Sequence, residues 1–154
     1  MFIRPIRPSD KPLLVSGLSA MSRASVHARF LSPRSSFTAA ELRYLTEVDG
    51  YDHVALVAVE GDELLAVARF IRDPQDDTSA EVGVMVCDHL QGQGLGTLLG
   101  LALAEEARAV GVQHFTAIML PDNVAALRLF ARISAHLHTE LHDGVRELVA
   151  DLAA

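Results

Sequence analysis

Two adjoining features in residues 79–99 could do chemistry. Glu81 interrupts the otherwise apolar run SAEVGVMVC (Ser79–Cys87), and DHLQGQGLGTLL (Asp88–Leu99) follows, with Gly92, Gly94 and Gly96 at alternate positions. A carboxylate inside an apolar strand is costly if buried and idle, which makes Glu81 a candidate general base. An exposed strand-end glutamate is the plain alternative. Glycine is a weak helix former and a poor strand residue, so three of them where a strand hands over to a helix call for a reason. An anion supplies one. Glycines let main-chain N–H groups turn inward and approach a phosphate, and a helix N-terminus adds partial positive charge.

Three phosphate motifs compete for this segment. A nucleoside-triphosphate loop needs a lysine beside the Ser or Thr at the helix start, and Gly96 is followed by Thr97 without one. A dinucleotide fingerprint, G-x-G-x-x-G, beginning at Gly92 meets Thr97 where its third glycine belongs, and no ribose-binding acid closes the following strand. The form that remains is Q-G-x-G-x-G, Gln91 to Gly96, in which backbone amides are the donors.

The elements around it must hold these groups in place. FIRPI (Phe2–Ile6) reads as a short edge strand, with Ser9 and Asp10 able to cap the helix after it. Ser19 to Pro33 reads as a second, irregular helical stretch and loop. In TAAELRYLTEVD (Thr38–Asp49), Thr38 and Glu41 form a capping-box pattern. HVALVAVE and ELLAVARFI flank Gly61-Asp62 as a hairpin, and SAEVGVMVC, nearly continuous in apolar character, predicts a central strand. A helix then runs to Gly111, QHFTAIML is a strand, and DNVAALRLFARI is a helix capped by Asp122 or Asn123. The end of the chain folds as two strands around Asp143-Gly144. The order is β-α-α-β-β-β-α-β-α-β-β, a mixed sheet with helices on its faces.

Composition narrows the partners. The 154 residues suit one domain, and 50% hydrophobic content excludes disorder. A formal charge of −7 argues against nucleic acid, which needs a basic face, and is compatible with a cationic amine. A single cysteine, Cys87, cannot form an internal disulfide and fits a reducing compartment. MFIRPIRPSD has arginines and prolines where a signal peptide needs its apolar segment, and no apolar run is long enough to span a bilayer. The expectation is a soluble, cytoplasmic protein without a membrane partner. Of 13 basic residues only Lys11 is a lysine. Codon bias in a GC-rich genome explains that plainly; the sharper reading is a lysine-modifying enzyme with few sites for modifying itself.

Strand, QGQGLG, helix, strand and then LPDNVAALRLF resembles motifs A and B of the GNAT superfamily of N-acetyltransferases, over most of the chain. The resemblance implies an α/β (α+β mixed) GNAT fold in one domain, residues 1–154. Its central mixed, mostly antiparallel sheet would be splayed at the fourth strand, with helices on both faces. It implies acetyl-CoA as cofactor. The fourth strand would bulge and part from its neighbour, and the backbone of Met85 and Val86 would bind the pantetheine arm and polarise the thioester carbonyl. The N–H groups of Gln91, Gly92, Gln93, Gly94, Leu95, Gly96 and Thr97 would take the pyrophosphate. Asn123 would contact pantetheine. Phe130, counted with the cofactor residues, stands where many members place the tyrosine that protonates the leaving thiolate.

SRASVHARFLSP (Ser22–Pro33), with the form S-x-x-S-x-x-x-R-F-x-x-P, EVDGYDHVALVA, ARFIRD and AEVGVMV are similar to the acetyltransferase domain of bacterial protein lysine acetyltransferases acting on acyl-CoA synthetases. Glu81 matches that group's general-base position. The second domain those proteins usually carry has no counterpart in these residues. Arg29 and Phe30 would shape the acceptor entrance, with a packing pair at a helix end as the plain alternative. A lysine amine has a pKa of ~10.4 and must lose its proton before attacking a thioester. The expected function is therefore direct transfer of acetyl to a primary amine, on a protein lysine, with Glu81 taking the proton. A small-molecule amine acceptor and a non-catalytic acyl-CoA-binding module are the alternatives, and monomer or homodimer stays open. His136, His138 and His142 share a strand face but have no cysteine or acid at ligand spacing, so solvent-facing histidines and no metal are expected.

Overall fold

Local signals set most element ends. The computed structural model describes residues 1–30 and 36–152, without the side chains of Ala28 and Phe30. Thr38 Oγ1 accepts from the Glu41 N–H at 3.1 Å and Glu41 Oε1 accepts from the Thr38 N–H at 2.9 Å, which starts α3 (Ala39–Thr46). Asn123 Oδ1 accepts from the Ala126 N–H at 3.1 Å and caps α5 (Val124–Ile133). Gly111, at φ 85°, stops α4 (Leu95–Ala109). Asp143 and Gly144, at φ 53° and 77°, join β6 (Ser134–His142) to β7 (Val145–Leu152).

Asp10 acts differently from expectation. It precedes α1 (Lys11–Ser19), but its carboxylate makes no cap bond to that helix. It reaches back, accepting from the Arg7 N–H and from both Arg4 terminal nitrogens at 2.8 Å each. The Arg4 guanidinium, which belongs to β1 (Phe2–Pro5), holds this buried carboxyl below its usual range.

Three helices, not two, precede β2 (His53–Glu60), because Arg23–Phe30 closes into a helix of its own, α2. Ser22 Oγ accepts from the Ser25 N–H at 3.1 Å at its start. Pro33, at the end of the expected loop, lies outside the described residues.

The sheet order is β1-β2-β3-β4-β5-β7-β6, with β3 at Glu63–Asp73, β4 at Asp76–Val86 and β5 at His114–Met119. Every neighbouring pair is antiparallel except β4–β5. On one face Phe70, Phe115 and Leu148 pack with Leu99 and Leu103 of α4; on the other Val57, Val67 and Met85 pack with Leu14 of α1. Helix α5 comes close to α4 because Gly96 and Gly100 lack side chains: a Cβ on either would lie 3.2 Å from a Leu129 methyl. Among the described residues no helix is long and apolar enough to cross a membrane.

The parallel β4–β5 pairing is short. It joins Ser79 to His114, Ala80 to Phe115 and Glu81 to Thr116, and goes no further although both strands continue. The expected parting of the fourth strand is therefore present. The expected bulge is not: β3 and β4 keep one register from Ala66/Val86 to Arg72/Ala80. Divergence from β5 alone opens the gap.

Candidate active site

Past Glu81, one edge of β4 has no partner strand among the described residues, and strand parity decides which groups line it. The Cys87 N–H donates to the Leu65 C=O at 2.9 Å, which makes Ala66/Val86 a non-hydrogen-bonded pair. Val84 and Val86 therefore turn their N–H and C=O groups toward the gap. Met85 pairs with Val67 and spends both main-chain groups on β3, so it cannot present them to a ligand, contrary to the sequence reading.

The gap leads to the glycine segment. Gly92 and Gly94 have φ 79° and 86°, conformations open to glycine and strained for other residues. A Cβ on either would meet nothing within 4 Å, so open space rather than crowding surrounds these glycines. The first α4 bond of this region runs from the Leu98 N–H to the Gly94 C=O at 3.0 Å, which leaves the N–H groups of Leu95, Gly96 and Thr97 without intrahelical acceptors. Gln91 contributes structure as well. Its Nε2 donates to the Val86 C=O and to Ser25 Oγ, each at 3.1 Å, while Gln93 Nε2 donates to the His89 C=O at 3.2 Å.

Asp88 ties this segment to α2. It accepts from the Ser22 N–H at 2.9 Å and from Ser25 Oγ at 2.7 Å, and these bonds hold its carboxyl below the ordinary range. The two serines of the S-x-x-S pattern thus join the glycine loop to the helix that carries Arg29.

Glu81 sits at the mouth of the gap, on the last paired rung, and is exposed rather than buried. The apolar neighbours misled: Ala80 and Val82 face the α4 core, while Glu81 and Gly83 face the other way. Glu81 therefore bears no burial cost, and its position is what recommends it. Two hollows meet at Glu81 and Thr116. One, of about 440 Å³, is lined also by Arg29, Tyr44, Arg69 and Arg72. The other, of about 390 Å³, is lined also by Ile118, His138, Glu140 and Glu147.

Arg69 was not legible as a site residue. It is 4% exposed, and its Nη1 donates to the Leu45 C=O at 2.8 Å and meets His53 Nε2 at 2.9 Å. Burial, then the charge of nearby Arg29, push its pKa down to about 10. His53 is pushed down to about 4 by burial and by Arg69, so it is neutral at physiological pH and accepts from the guanidinium. The Arg29 guanidinium lies over Gly83, where a Cβ would come within 2.6 Å of its central carbon. Arg29 therefore lines the hollow beside Glu81; the side chain of Phe30 lies outside the described residues.

The remaining expected residues divide. Asn123, half-buried, is placed at the start of α5 by the cap bond already given. Phe130 is 4% exposed and packs in the core with Leu129 and Ile133, so it offers no ligand-facing surface. Cys87 is half-buried and burial pushes its thiol up. His136 and His138 pack edge to face with ring centres 4.4 Å apart, and His142 Nε2 lies 2.9 Å from Glu147 Oε2.

The chain and its fold have counterparts among known proteins. The profile of the Acetyltransferase (GNAT) family matches residues 24–134. Acetyltransferase Pat of Mycolicibacterium smegmatis is 40% identical over 136 residues, 87% of this chain and 40% of that protein. The chain thus spans two fifths of that relative's length. The GNAT domain of S. lividans PAT superposes with a TM-score of 0.88 at 31% identity, covering 97% of this chain and 89% of that one. YncA of Salmonella typhimurium, solved with its cofactor acetyl-CoA, shares the fold at 22% identity and a TM-score of 0.77, covering 100% of this chain and 95% of that one. With the family profile lying over the strand, the glycine turn and both helices of the site, the chain belongs to the Acetyltransferase (GNAT) family.

Proposed function

We propose that the protein is an acetyl-CoA-dependent N-acetyltransferase that transfers acetyl directly to a primary amine, the side chain of a protein lysine. The observation that carries this reading is the parting of β4 from β5 just beyond Glu81, where Val84 and the Val86 N–H turn main-chain groups toward the gap. These residues fit coenzyme A: an extended arm can pair with a free strand edge, and a diphosphate suits the open glycine turn with its free helix amides. When bound, acetyl-CoA supplies the activated acyl group. The N–H groups of Leu95, Gly96 and Thr97 and the turn before them hold the anion, and Val84 and Val86 orient the arm. Glu81, exposed at the mouth, accepts the amine proton directly or through water. The lysine acceptor rests on the resemblance of SRASVHARFLSP and AEVGVMV to protein lysine acetyltransferases, and likeness to the GNAT domain of S. lividans PAT and to M. smegmatis acetyltransferase Pat supports it. Cytoplasmic residence and a single catalytic domain over residues 1–154 belong to the same reading.

Glu81→Gln tests it. In steady-state assays kcat should fall by roughly 10²–10⁴-fold while calorimetry finds acetyl-CoA binding unchanged. A substitution that leaves kcat intact removes Glu81 from the chemistry. Absence of turnover in the parent protein with every amine and acyl-CoA synthetase offered would leave only the binding-module alternative.

A further inference from the structure

The cleft beside Glu81 holds a buried cation that the proposed proton transfer leaves without a task. A guanidinium taken out of water is costly unless a carboxylate compensates it. Arg69 has no such partner among the described residues: the Leu45 carbonyl and a neutral His53 are its hydrogen-bond partners. Arg29 adds a second positive charge close by, over Gly83, the register partner of Arg69. Unlike Arg69, the third arginine of the cleft has a carboxylate partner. Arg72 is anchored to Asp52 at 3.0 Å, to the Val110 carbonyl at 2.9 Å and to the Asp77 carbonyl.

We propose that Arg69 and Arg29 form an anion subsite for a carboxylate on the acceptor, within reach of the nitrogen that Glu81 deprotonates. The inference rests on the acetyltransferase reading and names its substrate class. Glu81 is two residues along β4 from Gly83 and on the same face, so its position stands diagonally from that of Arg69, and both residues line the same hollow. A carboxylate and guanidinium groups lining one hollow can engage the two ends of an acceptor that carries an amine and a carboxylate, the latter on its own α-carbon or on a flanking acidic residue. Guanidinium groups bind carboxylates through paired N–H donors, which gives direction as well as charge. The preferred acceptor is an amine with a nearby carboxylate, supplied either by an acidic neighbour of a protein lysine or by free lysine itself.

Two matched pairs of probes separate these sources: a short lysyl peptide with Glu or Gln next to the lysine, and free lysine against lysinamide. Affinity is read by calorimetry on the full chain, and turnover by thiol release with acetyl-CoA. The carboxylate member of a pair should bind about tenfold more tightly, the effect of one good charged contact. The gain should appear in KM rather than kcat, and Arg29→Gln should remove it. Arg69→Lys, which keeps the charge and loses the fork, should retain part of it and guards against a variant that fails to fold. Preference in the peptide pair alone assigns a protein acceptor, and preference in the free pair alone assigns the amino acid. Equal affinities within both pairs overturn the subsite. Turnover without charge preference overturns it while the acetyltransferase reading stands; carboxylate-dependent binding without turnover does the reverse.

Discussion

Gly94 holds φ 86° at the N-cap of α4, and that angle has a price for any other side chain. Gly94→Ala places a Cβ in the left-handed region at a cost of about 1–2 kcal/mol. If that cost appears in donor affinity, the dissociation constant for acetyl-CoA rises roughly 5–30-fold, measurable by calorimetry. An unchanged constant would mean that the turn does not take the diphosphate. The glycines and Glu81 were legible because their types are out of keeping with their immediate neighbours. Arg69 was not, since what distinguishes it is its burial against Leu45 and His53, which are brought in from other elements. Exchanging Met85 for Val84 as an edge residue likewise required the register with β3, which no local pattern contains.

Helix α2 depends on a residue far along the chain. Its first turn is held by Ser22 Oγ and by Asp88, which sits between β4 and the glycine turn. Asp88→Ala removes both bonds and should weaken α2 by about 1 kcal/mol, the usual worth of a cap. Hydrogen exchange should quicken in residues 23–30 while α4 stays protected; equal exchange in both proteins would show that the tie contributes nothing. Elements with their caps in their own sequence were legible for that reason, as Thr38 with Glu41 and Asn123 with Ala126 show. Helix α2 read as irregular because half of its cap is supplied by tertiary structure. The splay was expected from resemblance alone, and the pairing pattern gave its limits at Glu81 and Thr116.

Stability of the molecule should depend on pH through His53. Burial and the Arg69 charge push this side chain down to about 4 in the folded state, against 6.5 ordinarily. The unfolded chain therefore takes up a proton that the folded one refuses. The contribution is complete above pH 6.5 and is lost as pH falls toward 4, on the order of 1 kcal/mol per pH unit. Thermal melts should show a midpoint that declines across this window, and His53→Gln should flatten the decline. The same slope in parent and variant would place the acid sensitivity elsewhere.

The short run of rungs between β4 and β5 has a mechanical consequence. Strands β1 to β4 form one plate and β5, β7 and β6 another, and three paired positions stitch them together at one end. Helices α4 and α5, pressed close through Gly96 and Gly100, clasp the two plates from a single side. The two plates meet like a book bound along Ser79–Glu81, and a guest seated between the pages would supply the rungs that the strands leave unmade.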